Sequence, residues 1–318
     1  MYRNVMVPVD GSPFSREAVL QGLRIASQSG ATLRLVRVGS SSSMMHGGPD
    51  GFTIENQKLS ELHSNELADL YAIAAECRAH TTVNVTASLQ YGPVVDALIG
   101  YARRQRVDLI VMRSHTRRGL ARVWFGSVAD GLIRESGIPV LVVKPPSVAT
   151  ALDGGFRYKK IIVPLDGSPL AEQALQPAVR LARIEGASVT LVRVVAPSAA
   201  ADGVVQSSLG PARAQDVSEA RDYLDSLLNA SVDHSMPVIR RVIISDDIPG
   251  AILQAAEGVE ADIIAIATHG RSALARARSG SVADRLMREA PISTMILRPG
   301  IQVAEPIAVR PKLQTAAI

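Results

Sequence analysis

The segment Tyr2–Val38, YRNVMVPVDGSPFSREAVLQGLRIASQSGATLRLVRV, decides the fold because the chain repeats it as Tyr158–Val194, YKKIIVPLDGSPLAEQALQPAVRLARIEGASVTLVRV. Each copy runs from an apolar stretch through an Asp-Gly-Ser turn into a helical pattern and then a second apolar stretch. Asp166 follows Asp10 by 156 residues, and the offset becomes 154 residues further along each copy. A repeat of this length indicates a duplicated domain rather than a solenoid.

Each copy contains five short apolar runs that alternate with helical patterns, which is typical of βαβ units in a largely parallel sheet. The sequence therefore predicts an α/β fold with two tandem, doubly wound, five-stranded domains. In each copy we expect the first helix to begin at a capping serine followed by proline, Ser12 or Ser168, and to end at Gly30 or Gly186.

The composition bounds the class of protein. The chain has 318 residues, 47% hydrophobic and 20% charged, which suits two domains that need no disulfide or metal. A net charge of +4 and 3% aromatic residues argue against nucleic-acid binding, and no apolar run is long enough for a membrane span. Cys77 is the single cysteine, so we expect a buried thiol and a reducing, cytoplasmic setting.

Two related loops each lead into a helical pattern. They are Arg113–Ser127, RSHTRRGLARVWFGS, and Ala267–Ser281, ATHGRSALARARSGS, followed by VADGLIRE and VADRLMRE. The first-turn N–H groups of a helix lack intrahelical partners and lie at the positive end of its dipole. The loops are therefore candidate anion sites.

Both halves resemble the universal stress protein domain, and the whole chain is similar to a tandem member of that family. The resemblance rests on VPVDGS and VPLDGS, on RSHTRRGL and ATHGRSAL, and on GSVAD in both halves. It implies an adenine-nucleotide-binding fold, similar to adenine nucleotide α-hydrolases, with strand order 3-2-1-4-5 and the halves paired about an internal pseudo-two-fold at the last strand. We expect domains at residues 1–146 and 157–300, a linker at 147–156 and a tail at 301–318.

The resemblance also implies the nucleotide-binding residues. Members that bind ATP carry Gly, two residues, Gly, nine residues, Gly and then Ser or Thr. The second half departs once from this motif, at Ala267, whereas the first half departs twice, at Arg113 and Thr116. The expected site in the second half comprises Pro164, Leu165, Asp166, Val194, Ile266, Ala267, His269, Gly270, Arg271, Gly280, Ser281 and Val282. Its weaker counterpart comprises Asp10, Val38, Arg113, Thr116, Gly126 and Ser127.

Several of these residues have two interpretations. Asp10 and Asp166 either contact the adenosine or only stabilise an Asp-Gly-Ser turn. The hydroxyl groups of Ser127 and Ser281 could cap the following helix or donate to a phosphate, and the two roles can coexist. With Arg113, the first half has either lost its site or acquired a guanidinium that contacts a phosphate.

The motifs of several enzyme classes are missing, among them the P-loop, the G-x-G-x-x-G fingerprint after the first strand and the G-x-S-x-G nucleophile elbow. No metal-ligand spacing surrounds His269, which we interpret as a loop-stabilising residue. We predict a non-enzymatic regulatory or stress-response protein that binds ATP, ADP or AMP, with Mg²⁺ accompanying ATP and slow hydrolysis left open.

The alternative function is a nucleotide-free interaction scaffold, and a third hypothesis is an enzyme acting on a small phosphorylated or adenylated compound. The expected partners are an adenine nucleotide and an unidentified protein. The chain is either a monomer with an internal pair or a homodimer of such pairs.

Overall fold

The computed structural model describes residues 1–39, 51–113, 126–144, 156–197, 211–231, 236–268 and 281–299. Residues 147–155 of the predicted linker (147–156) and the whole predicted tail lie outside these ranges. The first half consists of β1 (Asn4–Pro8), α1 (Pro13–Ser29), β2 (Thr32–Val38), α2 (Gly51–Ala79), β3 (Val85–Gln90), α3 (Val94–Arg104), β4 (Leu109–Arg113), α4 (Ser127–Glu135) and β5 (Val140–Val143).

The second half repeats this order with one extra helix. It consists of β6 (Lys160–Pro164), α5 (Pro169–Glu172), α6 (Leu175–Glu185), β7 (Ser188–Val195), α7 (Pro211–Ser231), β8 (Val238–Ile244), α8 (Ile248–Gly258), β9 (Ile263–Ala267), α9 (Ser281–Glu289) and β10 (Ser293–Leu297). The alternation of strands and helices in both halves confirms the predicted α/β fold.

All these strands belong to one sheet, in the order β3-β2-β1-β4-β5-β10-β9-β6-β7-β8. Each half therefore has the expected order 3-2-1-4-5, and the halves join where β5 and β10 pair antiparallel. In that pair Leu141 lies opposite Met295, its own counterpart in the repeat, while Val140 lies opposite Ile296 and Val142 opposite Thr294. The predicted pseudo-two-fold axis passes between Leu141 and Met295.

The inner strands β1, β4, β5, β6, β9 and β10 are predominantly apolar because helices cover both faces of the sheet. On one face α1, α2, α6 and α7 pack over a core that includes Leu35, Leu141, Leu191 and Met295. On the other face α3, α4, α8 and α9 pack over a second core, which includes Val140 and Ile296. Both cores continue across the β5–β10 junction, so the two halves share their apolar layers.

Local signals in the sequence set the ends of the first helix in each half. The Oγ of Ser12 accepts a hydrogen bond from Ser15 N at 3.3 Å, and the Oγ of Ser168 accepts one from Ala171 N at 3.1 Å. Gly30 and Gly186 both adopt φ of 67°, the left-handed conformation that glycine provides at a helix C-terminus. The predicted caps are confirmed.

The second half differs from the prediction in one respect: its first helix is divided into α5 and α6. Pro177 lies near the start of α6. In a continuous helix its ring would clash with the carbonyl group of Gln173, four positions earlier. The first half has Gln21 at the position equivalent to Pro177, and α1 continues without a break. Pro177 therefore explains the division.

Contacts between the halves are reciprocal around the pseudo-two-fold axis. The guanidinium group of Arg180 lies 5.3 Å from the ring centre of Tyr2, and that of Arg24 lies 5.9 Å from the ring centre of Tyr158. Arg24 and Arg180 are counterparts in the repeat, as are Tyr2 and Tyr158. The reciprocity stops at Glu185, which forms a buried ion pair with Arg24, because the corresponding residue of the first half is Ser29.

Among the described helices, none is both long enough and apolar enough to cross a lipid bilayer.

Candidate functional site

The turns after β1 and β6 have the same construction. The Oδ1 atom of Asp10 accepts a hydrogen bond from Ser12 N at 2.9 Å, and Oδ1 of Asp166 accepts from both N and Oγ of Ser168, at 2.9 and 2.6 Å. The intervening glycine has φ of 79° in the first half and 84° in the second, which side chains rarely tolerate. Both aspartates therefore stabilise the turn, as one of their two interpretations requires.

A cavity of about 460 Å³ opens at the carboxyl ends of β6, β7 and β9, at the edge of the sheet where open α/β folds bind ligands. Its volume lies within the usual range for small-molecule sites, roughly 300–1,000 Å³. The lining residues are Pro164, Leu165, Asp166, Ser168, Leu170, Ala171, Val192, Val194, Ile248, Ile252, Ile266, Ala267, Thr268, Val282, Ala283 and Leu286.

The structure brings part of the predicted site together around this cavity. The predicted residues among its lining are Pro164, Leu165, Asp166, Val194, Ile266, Ala267 and Val282. Ser281 is the first residue of α9. The predictions for Thr116, His269, Gly270, Arg271 and Gly280 concern positions outside the described residues.

Sequence reasoning missed the walls contributed by α5 and α8, and of the α9 wall it included Val282 but not Ala283 or Leu286. Ile248 and Ile252 are one turn apart on α8, Leu286 lies on α9, and Leu170 and Ala171 come from α5. Each wall residue other than Ala171 belongs to an apolar helical pattern, but nothing in the sequence distinguishes a cavity wall from a core position.

The cavity is chemically two-sided. Most of the wall is aliphatic, whereas Asp166, Ser168 and Thr268 place polar groups at the strand ends. The first turn of α9 contributes Val282 and Ala283, so the unpaired N–H groups and positive dipole end of that helix lie at the same cavity. Such a site suits a flat apolar ring joined to a polar, anionic group. Within the described part of the chain, no cluster of His, Cys, Asp or Glu has the makings of a metal site.

An arginine on the second strand of each half lies behind the aspartate turn, in different surroundings. Arg37 lies 3.6 Å from a carboxylate oxygen of Glu66 and 3.9 Å from one of Asp69. Its counterpart Arg193 donates to the carbonyl oxygen of Leu165 at 3.5 Å and lies over the ring of Tyr223. Among the described residues, no carboxylate lies within 4.0 Å of Arg193.

Tyr223 is itself hydrogen-bonded, since its hydroxyl donates to Oε1 of Glu172 at 3.1 Å. Burial, together with the nearby Glu172, raises the pKa of Tyr223, so its hydroxyl stays protonated and neutral. Tyr223 therefore does not supply the negative charge that Asp69, at the corresponding position of the first half, supplies to Arg37. Arg193 itself does not line the cavity, since its neighbours Val192 and Val194 do and alternate residues of a strand face opposite sides of the sheet.

The first half places its predicted residues differently. Arg113, the last residue of β4, forms an ion pair with Glu17 of α1, and its guanidinium group lies 4.6 Å from the ring centre of Phe14. Gly126 is the N-cap residue of α4, and Ser127 is the first residue of that helix. Ser127 therefore does not occupy the N-cap position itself, and its role at a phosphate stays a prediction. Val38 is half-buried at the end of β2.

Comparison with known proteins identifies the family to which the chain belongs. The sequence model of the universal stress protein family matches residues 1–144 and again residues 157–298. The chain belongs to the universal stress protein family. A universal stress protein of Mycobacterium tuberculosis is 21% identical, over 92% of this chain and 94% of its own length. One from Methanocaldococcus jannaschii is 28% identical, over 46% of this chain and 84% of its own length.

The tandem fold also has a counterpart among solved structures. A universal stress protein from Archaeoglobus fulgidus superimposes with a TM-score of 0.66 at 19% identity, over 93% of this chain and 98% of that one. The similarity supports the fold across both halves. The similarity does not identify a ligand, for which the geometry of the cavity is the evidence.

Proposed function

We propose that this universal stress protein is a regulatory, stress-response factor that binds one adenine nucleotide in its second half. The observation that carries the proposal is the cavity beside Asp166, where seven residues expected for a nucleotide site line one space. The adenine ring would lie against Val194 and Ile266, and the phosphates would lie toward the N-terminus of α9.

The ligand is ATP, ADP or AMP, with Mg²⁺ as a companion of ATP. The first turn of α9, whose N–H groups lack intrahelical partners, supports binding of an anionic group at the cavity. The methyl group of Ala267 belongs to the cavity wall, which supports the view that alanine is tolerated where the family motif has glycine. We propose binding without dedicated catalysis, so that occupancy of the site changes contacts with another protein.

A cytoplasmic, reducing setting is part of the proposal. Cys77 is the single cysteine, and only 4% of its surface is exposed. Burial raises the pKa of its thiol to about 11, which keeps the thiol protonated and unreactive at neutral pH. A buried, protonated thiol on α2 is a packing group and does not act as a redox sensor.

Equilibrium dialysis and titration calorimetry with ATP, ADP and AMP test the proposal. We expect about one nucleotide per chain. Val282→Trp should abolish binding because the indole would fill the cavity, whereas Val128→Trp, at the equivalent position of the first half, should leave binding unchanged. Both valines are half-buried in the first turn of their helices, so the two variants are matched.

The proposal fails if the wild-type protein binds none of the three nucleotides at millimolar concentration. That result would favour the nucleotide-free scaffold. It also fails, for the assigned cavity, if Val282→Trp binds as well as wild type.

A further inference from the structure

The first half retains most of the apolar wall that surrounds the cavity of the second half. Residues at equivalent positions are Val36 for Val192, Val38 for Val194, Leu98 for Ile252, Met112 for Ile266 and Leu132 for Leu286. They lie on the corresponding strands and helices, and four of them are buried. The aliphatic surface for a flat ring is therefore present in both halves.

At two other wall positions the two halves have residues of different chemical type. Leu170 and Ala267 both line the cavity of the second half, and their counterparts are Phe14 and Arg113. The guanidinium group of Arg113 lies 4.6 Å from the ring centre of Phe14, so this side chain joins two positions that form separate walls in the second half. Only 14% of the Arg113 side chain is exposed.

Glu17 holds Arg113 in this place. The two side chains form an ion pair between the end of β4 and the first turns of α1. In the second half the equivalent positions are occupied by Ala267 and Gln173, so neither the cation nor its carboxylate partner is present. The aromatic ring and the carboxylate together restrain the guanidinium group, and the charge of Glu17 opposes the entry of a phosphate.

A second arginine near the strand ends of the first half, Arg37, is also paired with carboxylates. Arg37 lies within 4.0 Å of Glu66 and Asp69, whereas Arg193 faces Tyr223. Both arginines near the strand ends of the first half are therefore paired with carboxylates of their own domain.

We infer that Arg113 closes the first half to nucleotide: its side chain occupies the space between Phe14 and the end of β4 that a nucleotide would need. The inference rests on the proposed function of the second half. On this inference the side chain of Arg113 fills the nucleotide site and does not bind phosphate. Glu17 is the residue that positions the Arg113 side chain.

The variant Arg113→Ala/Thr116→Gly copies the second half at both positions where the first half departs from the nucleotide motif. Measured by equilibrium dialysis with radiolabelled ATP, it should bind one nucleotide per chain more than wild type. Thr116→Gly alone is the matched control and should bind the wild-type number. Circular dichroism melting curves establish that each variant is folded.

The reciprocal change transfers the closure to the second half. Ala267→Arg/Gln173→Glu should lower the number of bound nucleotides by one, whereas Gln173→Glu alone should leave it unchanged. This pair keeps the inference testable if the first-half variant fails to fold.

The outcomes separate the inference from the proposed function. A wild-type protein that binds no nucleotide refutes the function, yet a gain of one site in Arg113→Ala/Thr116→Gly would still support closure by Arg113. An unchanged number of sites in that variant overturns the inference even if the wild type binds one. A gain with Thr116→Gly alone also overturns it, because the barrier would then lie at Thr116.

Discussion

Arg24 and Arg180 occupy equivalent positions at the junction of the two halves, and the structure predicts unequal effects for the same substitution. Each guanidinium group lies over a tyrosine ring of the other half, so that contact is common to both sites. The ion pairs differ. Arg24 is paired with Glu185, with side-chain exposures of 9% and 0%, whereas Arg180 is 43% exposed and lies 3.9 Å from Asp108.

The difference in burial sets the magnitude. Arg24→Ala leaves the carboxylate of Glu185 buried without its cation, and removal of one partner of a buried pair costs about 3–5 kcal/mol. Arg180→Ala removes an exposed pair that contributes about 0–1 kcal/mol. We therefore expect the free energies of unfolding of the two variants to differ by about 2–5 kcal/mol. Urea denaturation monitored by circular dichroism measures this difference directly.

The loss of stability in Arg24→Ala should increase with pH. Burial raises the pKa of Glu185, and Arg24 opposes that effect, so the substitution should raise the pKa further. A carboxyl group whose pKa is higher in the folded than in the unfolded state makes the protein less stable as pH rises. The loss of stability begins at the unfolded pKa, about 4.3, and continues through the folded pKa. The deficit of Arg24→Ala relative to wild type should therefore be small near pH 5 and grow toward pH 8.

A second substitution tests the cause. Glu185→Ser, which copies Ser29 of the first half, should restore most of the stability lost in Arg24→Ala because no buried charge remains. Equal losses in Arg24→Ala and Arg180→Ala, within about 0.5 kcal/mol, would refute the argument, since that is the usual error of additivity for separate sites. A deficit that does not change between pH 5 and 8 would also contradict it.

Other positions give shorter predictions. Burial lowers the pKa of Lys144, so the stability of the wild type relative to Lys144→Met should increase from pH 8 to 10, measured by urea unfolding. Gly22→Ala should cost about 1–3 kcal/mol, since its methyl would lie 2.5 Å from Val7 Cγ2, whereas Gly100→Ala should gain about 0.5–1 kcal/mol in thermal unfolding. Cys77 should react with a thiol reagent only upon unfolding, and fast labelling of the native protein would contradict its burial.

The features of the fold that depend on short segments were accessible from sequence. Ser12 and Ser168 followed by proline, and Gly30 and Gly186, marked the helix ends because each of these residues acts on its own turn of backbone. The division of the first helix at Pro177 was missed, although proline inside a helical pattern is the signal for it.

The contacts that distinguish the two halves were not accessible in this way. Glu17 and Arg113 lie 96 positions apart in the sequence, and their ion pair depends on how α1 packs against β4. Arg24 and Glu185 likewise meet only because the β5–β10 junction brings α1 beside α6. The family resemblance located the strand ends and Val282 at the start of α9, whereas the wall from α8 follows from tertiary packing.

The antiparallel pairing of β5 with β10 inside a single chain has a consequence for how the protein can evolve. In a homodimer of identical subunits every substitution appears twice, once on each side of the axis. Here each side has its own codons, so Glu185 was placed opposite Arg24 without a matching acid opposite Arg180, and Arg113 without a matching arginine at position 267. Because both halves lie in one chain, a substitution in one half is not repeated in the other. One half can therefore be specialised while the other stays unchanged.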